Sequence, residues 1–153
     1  MSEKPRILFL CTGNSCRSQM AEGWTRFLKG DLMEAYSAGT EPQRLNPNAV
    51  KVMKEMGVDI SNQHSKHIQE FQGTLFDVVV TVCDHAHETC PFFPTKNPVI
   101  HKGFLDPSVI AEEIAKKGAS EKEQLDWYRK VRDEIRAFVE TLPDGMNIKG
   151  EVQ

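Results

Sequence analysis

The sequence has no long apolar run. Nothing in its 153 residues approaches the ~20 consecutive apolar residues that a membrane-spanning helix needs. The N-terminal stretch MSEKPRILFLC holds only four apolar residues in a row, Ile7 to Leu10, too few for the core of a secretion signal. Positive charge is not in excess either: 19 Lys and Arg stand against 22 Asp and Glu, a net of −3, which argues against a general nucleic-acid binder. No internal repeat and no linker divides the chain. What is present is ordinary globular usage, 39% apolar and 27% charged, in a chain long enough to bury roughly two-thirds of its unfolded surface. These features predict a soluble, cytoplasmic protein with one domain over residues 1–143 and a flexible tail over 144–153. Nothing suggests an extra hydrophobic face, so a monomer is expected.

Cysteine is scarce: Cys11, Cys16, Cys83 and Cys90 are the full set. Structural disulfides are rare in a reducing cytosol, so such cysteines are buried, metal-binding or reactive.

Residues 6–10 and 76–82 are apolar, β-forming runs that read as strands buried on both faces, as in a parallel sheet. Weaker strands are predicted over 34–38 and 99–101. A first helix carries Met20, Ala21, Trp24, Phe27 and Leu28 on one face and ends near Gly30. A second starts with Asn46 as N-cap and Pro47 at the first helical position, buries Ala49, Val50, Met53 and Met56, and stops at Gly57. The last and longest opens with a Ser120/Glu123 capping box, then places Leu125, Tyr128, Val131, Ile135, Phe138 and Leu142 at helical spacing. Pro143 and Gly145 end it. Strands alternating with helices imply a single three-layer α/β domain, with a central four-stranded parallel sheet flanked by helices.

Cys11 and Cys83 each follow a predicted buried strand. Ligands of open α/β sheets bind beyond the carboxyl ends of the strands, so neighbouring strands would bring both sulfurs to one functional edge. Taken singly, each cysteine also fits a small buried hydrophobe. The residues after Cys11, Thr12-Gly13-Asn14-Ser15-Cys16-Arg17-Ser18, open the first helix. A short Gly/Asn loop before a helix N-terminus turns its N–H groups toward one point, where about half a positive charge resides, and makes an oxyanion cradle. Gly13 and Asn14 tolerate left-handed backbone. Arg17 adds a planar fork for two oxygens of a tetrahedral anion. The same field would lower the Cys11 thiol from its ordinary value near pKa ~8.5. Ser18 is either a donor to that thiolate or an ordinary residue of the first turn.

This loop resembles the phosphate loop of the low-molecular-weight tyrosine phosphatase fold family, and within it the sequence is most similar to the thioredoxin-coupled arsenate reductases. Gly103-Phe104-Leu105-Asp106-Pro107 resembles the Asp-Pro element that carries the general acid. Cys83-Asp84-His85-Ala86-His87-Glu88-Thr89-Cys90-Pro91 resembles the reductases' redox segment, with its two cysteines seven apart. The phosphatases generally lack this third element and commonly carry tyrosines after Asp-Pro, where this chain has Ser108 and Val109. The resemblance spans about residues 5–140 and implies arsenate reduction in arsenic detoxification. It implies Cys11 as nucleophile, Asp106 as acid, and Cys83 and then Cys90 as successive relay thiols. It also implies thioredoxin as donor and no bound cofactor. Some such reductases hold a monovalent cation at positions matching Asn14, Glu22 and Ser37. A further acidic ligand belongs where this chain has Lys66, so the resemblance leads to an ammonium paired with Glu22 in place of the ion.

Three other readings stand beside these. Asp106-Pro107 is also the start of a proline-led helix with Asp106 as N-cap. Cys16 is packing rather than nucleophile. Cys83, His85, His87 and Cys90 together are of the right types for a tetrahedral zinc site, although the spacing is cramped; zinc there would block the relay. Without the redox segment, a tyrosine phosphatase is the nearest rival. His64, His67 and His101 have surface or capping roles, and the charges of 112–134 form a solvated helix face.

Overall fold

The computed structural model describes residues 4–83, Thr95 and 99–142. Among the described residues the elements follow in the order β1 (Arg6–Cys11), α1 (Arg17–Lys29), β2 (Glu34–Gly39), α2 (Pro47–Lys54), β3 (Val78–Thr81), β4 (Ile100–His101), α3 (Pro107–Lys116) and α4 (Glu121–Glu140), with a 3₁₀ turn at Ile68–Phe71. The strands form one parallel sheet in the order β2-β1-β3-β4. β1, the first strand, therefore sits inside the sheet, and its unbroken apolar run buries both faces.

Alternate residues of β1 point into two cores. Ile7 and Phe9 join Met20, Trp24, Val52, Met53, Tyr128, Val131 and Ile135 beneath the helices, while Leu8 and Leu10 pack with Ala38, Ile68, Phe76 and Val79 on the other face. That second face is closed, among the described residues, by the 3₁₀ turn and a herringbone of Tyr36, Phe71 and Phe76 rings 5.5–5.6 Å apart. His67 caps this turn by accepting from Gln69 N–H, the capping role expected of it. Among the described residues no helix is long and apolar enough to cross a membrane.

The predicted capping signals operate. Asn46 Oδ1 accepts from Asn48 and Ala49 N–H, and the Ser120/Glu123 box is reciprocal. Three expectations need correction. Phe27 is 56% exposed: its ring meets that of Trp24 edge-on from outside, while Met20, Ala21, Trp24 and Leu28 of the predicted face join the core. Met56 is likewise exposed, lying beyond the end of α2. Cys11 is the last residue of β1 rather than the first after it, since its carbonyl and N–H environment still runs in register with Gly39 of β2. Cys90, His85, His87, Pro143 and the tail 144–153 lie outside the described residues.

Candidate active site

The loop from Thr12 to Cys16 gets its shape from outside. Thr40, Glu41, Gln43 and Asn46 donate their backbone N–H groups to the carbonyls of Cys11 (3.3 Å), Thr12 (2.8 Å), Gly13 (2.8 Å) and Ser15 (3.0 Å). Asn14 carbonyl accepts from Ser65 Oγ at 2.7 Å and Gln19 Nε2 at 3.0 Å, and Cys16 carbonyl from Met20 N–H at 2.9 Å. Each carbonyl of the loop is thus held outward. C=O and N–H of a trans peptide point in opposite directions, so the following N–H groups turn inward. Helix α1 starts here with Cys16 at its N-cap and no side-chain cap, which leaves its first-turn N–H groups to the same enclosed space.

Asn14 is the corner. It is wholly buried with φ of 48°, the left-handed conformation that Asn tolerates. Its Oδ1 accepts from Lys66 N–H at 2.9 Å and Gln19 Nε2 at 3.1 Å, and its Nδ2 donates to Ser18 Oγ at 2.8 Å. Ser18 is therefore tied to the loop corner, and among the described contacts none joins it to Cys11. Gly39 lets β2 approach: a Cβ there would sit 2.5 Å from the Thr12 carbonyl oxygen and 2.9 Å from Asn14 N. Behind the corner, Gln63 Nε2 donates to Gln19 Oε1 at 2.8 Å, so a chain of buried amides backs the loop.

The pocket, of about 360 Å³, is lined by Cys11, Thr12, Gly13, Ser15, Cys16, Arg17, Gln43, Asp106 and Ser108. Arg17 Nη1 donates to Phe104 carbonyl at 3.0 Å and Nη2 to Asp106 Oδ2 at 3.2 Å, leaving other N–H donors for a ligand. Asp106 does two things: Oδ2 faces Arg17, while Oδ1 accepts from Ser108 N–H as the cap of α3. The two alternatives for this residue thus coexist geometrically.

Cys11, Cys16 and Cys83 are all buried, and none is in a disulfide. Leu10 pairs with Thr81 across the sheet, so Cys11 and Cys83 leave adjacent strands at the same end, near enough for the Cys83 thiol to act on that of Cys11. Thr12 Oγ1 lies 3.4 Å from Cys83 Sγ. The expected lowering of the Cys11 thiol is not met. Contact with the Cys83 thiol and burial push it up, and Arg17 and the Thr12 N–H pull against them without prevailing. Burial and Asp106 likewise push the Cys16 thiol up, in keeping with a packing role.

Glu22 and Ser37, also buried, stand behind the loop. Glu22 Oε1 accepts from Ser37 Oγ at 2.5 Å, its Oε2 from Arg26 at 2.6 Å, and Lys66 Nζ lies 3.9 Å from Oε1. Gln43, Ser108, Gln19 and Ser65 were not legible in the sequence. Ser108 alone carried a signal, as the residue two after a capping Asp, while the others are polar residues that only the fold brings to the loop.

Residues 6–152 match the family model of the low molecular weight phosphotyrosine protein phosphatases. The arsenate reductase of Halalkalibacterium halodurans is 47% identical over 141 residues, 92% of this chain and 96% of that protein. That of Bacillus subtilis is 48% identical over 143 residues, 91% and 98% of the two chains. A solved structure of an arsenate reductase in the phosphate binding state superposes with a TM-score of 0.68 at 32% identity, covering 90% of this chain and 95% of that one. With the family model matched over nearly its whole length and such relatives aligned end to end, the chain belongs to the low molecular weight phosphotyrosine protein phosphatase family, as a relative of its arsenate reductases.

Proposed function

We propose that this protein reduces arsenate to arsenite through a thiol relay, with thioredoxin as the final reductant. The observation that carries the reading is a second thiol, Cys83, brought beside Cys11, which lines the oxyanion pocket. Cleaving a phosphate ester needs one thiol, a cation and an acid. Reducing As(V) needs two electrons, hence a second thiol able to reach the first. The relatedness to arsenate reductases at 47–48% identity supports the same reading.

In this scheme the loop N–H groups and Arg17 hold the tetrahedral anion, and the Cys11 thiolate forms a bond to arsenic. Asp106 gives a proton to the departing oxygen, which leaves as water. The Cys83 thiolate then attacks Cys11 sulfur, the S–As electron pair stays on arsenic, and arsenite is released with a Cys11–Cys83 disulfide. Cys90 attacks Cys83, freeing Cys11, and thioredoxin reduces the resulting Cys83–Cys90 disulfide. Cys90 enters from sequence resemblance alone.

Arsenate-dependent NADPH oxidation with thioredoxin and thioredoxin reductase tests the scheme. Steady turnover is expected, and Cys90→Ser should release one equivalent of arsenite and then stall. Hydrolysis of an aryl phosphate without arsenate turnover would overturn the reading in favour of a phosphatase.

The pattern of the loop's surroundings does not fit a bound monovalent cation. Asn14 Oδ1 already accepts two N–H groups, and Glu22 is met by Ser37, Arg26 and the half-buried Lys66 ammonium. Burial lowers the Lys66 pKa while Glu22 opposes that shift, so the ammonium is kept by the carboxylate it faces. Among the described residues no cluster of His, Cys, Asp and Glu suits a metal ion. Turnover should be the same in sodium and potassium buffers; clear stimulation by potassium would sink the substitution of Lys66 for the ion.

A further inference from the structure

Helices α2 and α3 begin alike, Asn46-Pro47-Asn48 and Asp106-Pro107-Ser108, yet their caps differ in the second donor. Asn46 Oδ1 is met by backbone N–H groups alone, of Asn48 at 2.8 Å and Ala49 at 3.3 Å. Asp106 Oδ1 receives Ser108 N–H at 3.0 Å and, in addition, the Ser108 hydroxyl at 2.6 Å. The hydroxyl stands where the Asn46 cap has its second backbone N–H, and it sits on the wall of the oxyanion pocket, which Ser108 lines together with Cys11 and Arg17.

We propose that Ser108 is a positioning residue for the general acid: it occupies Oδ1 of Asp106 so that the transferable proton resides on Oδ2, the oxygen that faces Arg17. The inference rests on the arsenate reductase reading and on Asp106 as its acid. The hydroxyl oxygen of a carboxylic acid is a poor acceptor, so a proton on Oδ1 must break the Ser108 N–H bond and reverse the Ser108 hydroxyl. A proton on Oδ2 displaces only Arg17, whose guanidinium turns to the incoming oxyanion. In the adduct-forming step the Cys11 S–As bond forms, one As–O bond breaks, and the Oδ2 proton leaves on the departing water. Ser108 keeps its own proton throughout and touches no reacting atom.

The test uses the full-length protein with Ser108→Ala and Ser108→Thr. In single-turnover reactions of the prereduced protein, Ser108→Ala should form arsenite roughly five- to tenfold more slowly at saturating arsenate, the size of one ordinary hydrogen bond. Half-saturating arsenate should stay within about twofold, and Ser108→Thr, which keeps the hydroxyl, should restore the rate to within about twofold. Inactivation of Cys11 by iodoacetate uses the same loop but no acid, so its rate should be unchanged in both variants. An unchanged arsenite rate in Ser108→Ala would overturn the proposal. So would a weakened half-saturation at full rate, or alkylation that slows in step with turnover.

If the wild type forms no arsenite, the reductase reading fails and the positioning role is read from ester hydrolysis instead. Phenyl phosphate has a poor leaving group that depends on the acid, and p-nitrophenyl phosphate a better one that depends on it less. A larger loss in Ser108→Ala on phenyl phosphate supports the role of Ser108. Equal losses, or no hydrolysis of either ester, would overturn it.

Discussion

Helices α1 and α3 both bring their N-termini to one pocket, and they are finished in opposite ways. α1 starts from Cys16 with no side chain closing its first turn, whereas α3 starts from Asp106, whose carboxylate accepts from Ser108. The free N–H groups of α1 are an electropositive floor available to a ligand, and the loop before it adds more by having its carbonyls held outward. The capped end of α3 contributes the reverse, a carboxyl group with one oxygen fixed by the cap and the other turned to Arg17. An uncapped helix end is a binding element; a capped one can carry an acid whose orientation the cap itself maintains.

Substitutions at four positions sharpen or break this contrast, taken from the largest expected effect. Arg17→Lys keeps the positive charge over the floor of α1 but loses the planar fork. Its kcat/KM for arsenate should fall roughly 10²- to 10³-fold, and a near-normal value would mean that charge alone suffices. Asp106→Asn and Asp106→Ala separate the two duties of the α3 cap. Both should lower kcat by about 10²-fold or more, but only Asp106→Ala should lose the cap, lowering stability in urea by about 1 kcal/mol. Equal stability in the two variants would show that Asp106 Oδ1 does not cap α3.

Cys83→Ala tests the thiol pair. The Cys83 contact is the largest cause raising the Cys11 thiol, while Arg17 and Thr12 N–H lower it. Removing Cys83 should therefore shift the pH midpoint of Cys11 alkylation downward, so that at a fixed pH below the midpoint more thiolate is present and alkylation is faster. A midpoint that stays in place would assign the shift to burial. The smallest effect is expected at Ser120→Ala, which opens the box of α4 far from the pocket. It should cost about 1 kcal/mol in urea and leave kcat unchanged, as a cap with a structural duty only.

Much of this was readable before the structure. The unbroken apolar run of β1, the Pro-led starts of α2 and α3, and the Ser120/Glu123 box are local signals, decided by residues within a few positions of one another. The succession Cys11 to Ser18 is local as a signal, a strand, a Gly/Asn turn and a helix start in one short run, although the loop's shape is held by partners from residues 40–46 and 65–66. Phe27 shows where this ends. Its spacing from Trp24 fits a buried face, yet whether that position is covered depends on what packs over it, and it is left 56% exposed.

The sequence by itself determined the succession of strands and helices and marked Cys11, Arg17 and Asp106 as candidates around one loop, because those follow from short-range backbone preference and side-chain chemistry. Tertiary structure alone decided what surrounds them. Segment 40–46 takes the loop carbonyls, Gln19, Gln63 and Ser65 back its corner, and β1 and β3 lie side by side so that two thiols distant in sequence come together. It also reversed the expectation for the Cys11 thiol, since burial and a neighbouring sulfur are properties of packing. The field of Arg17 and a helix end could be anticipated from sequence; the neighbours that outweigh it could not.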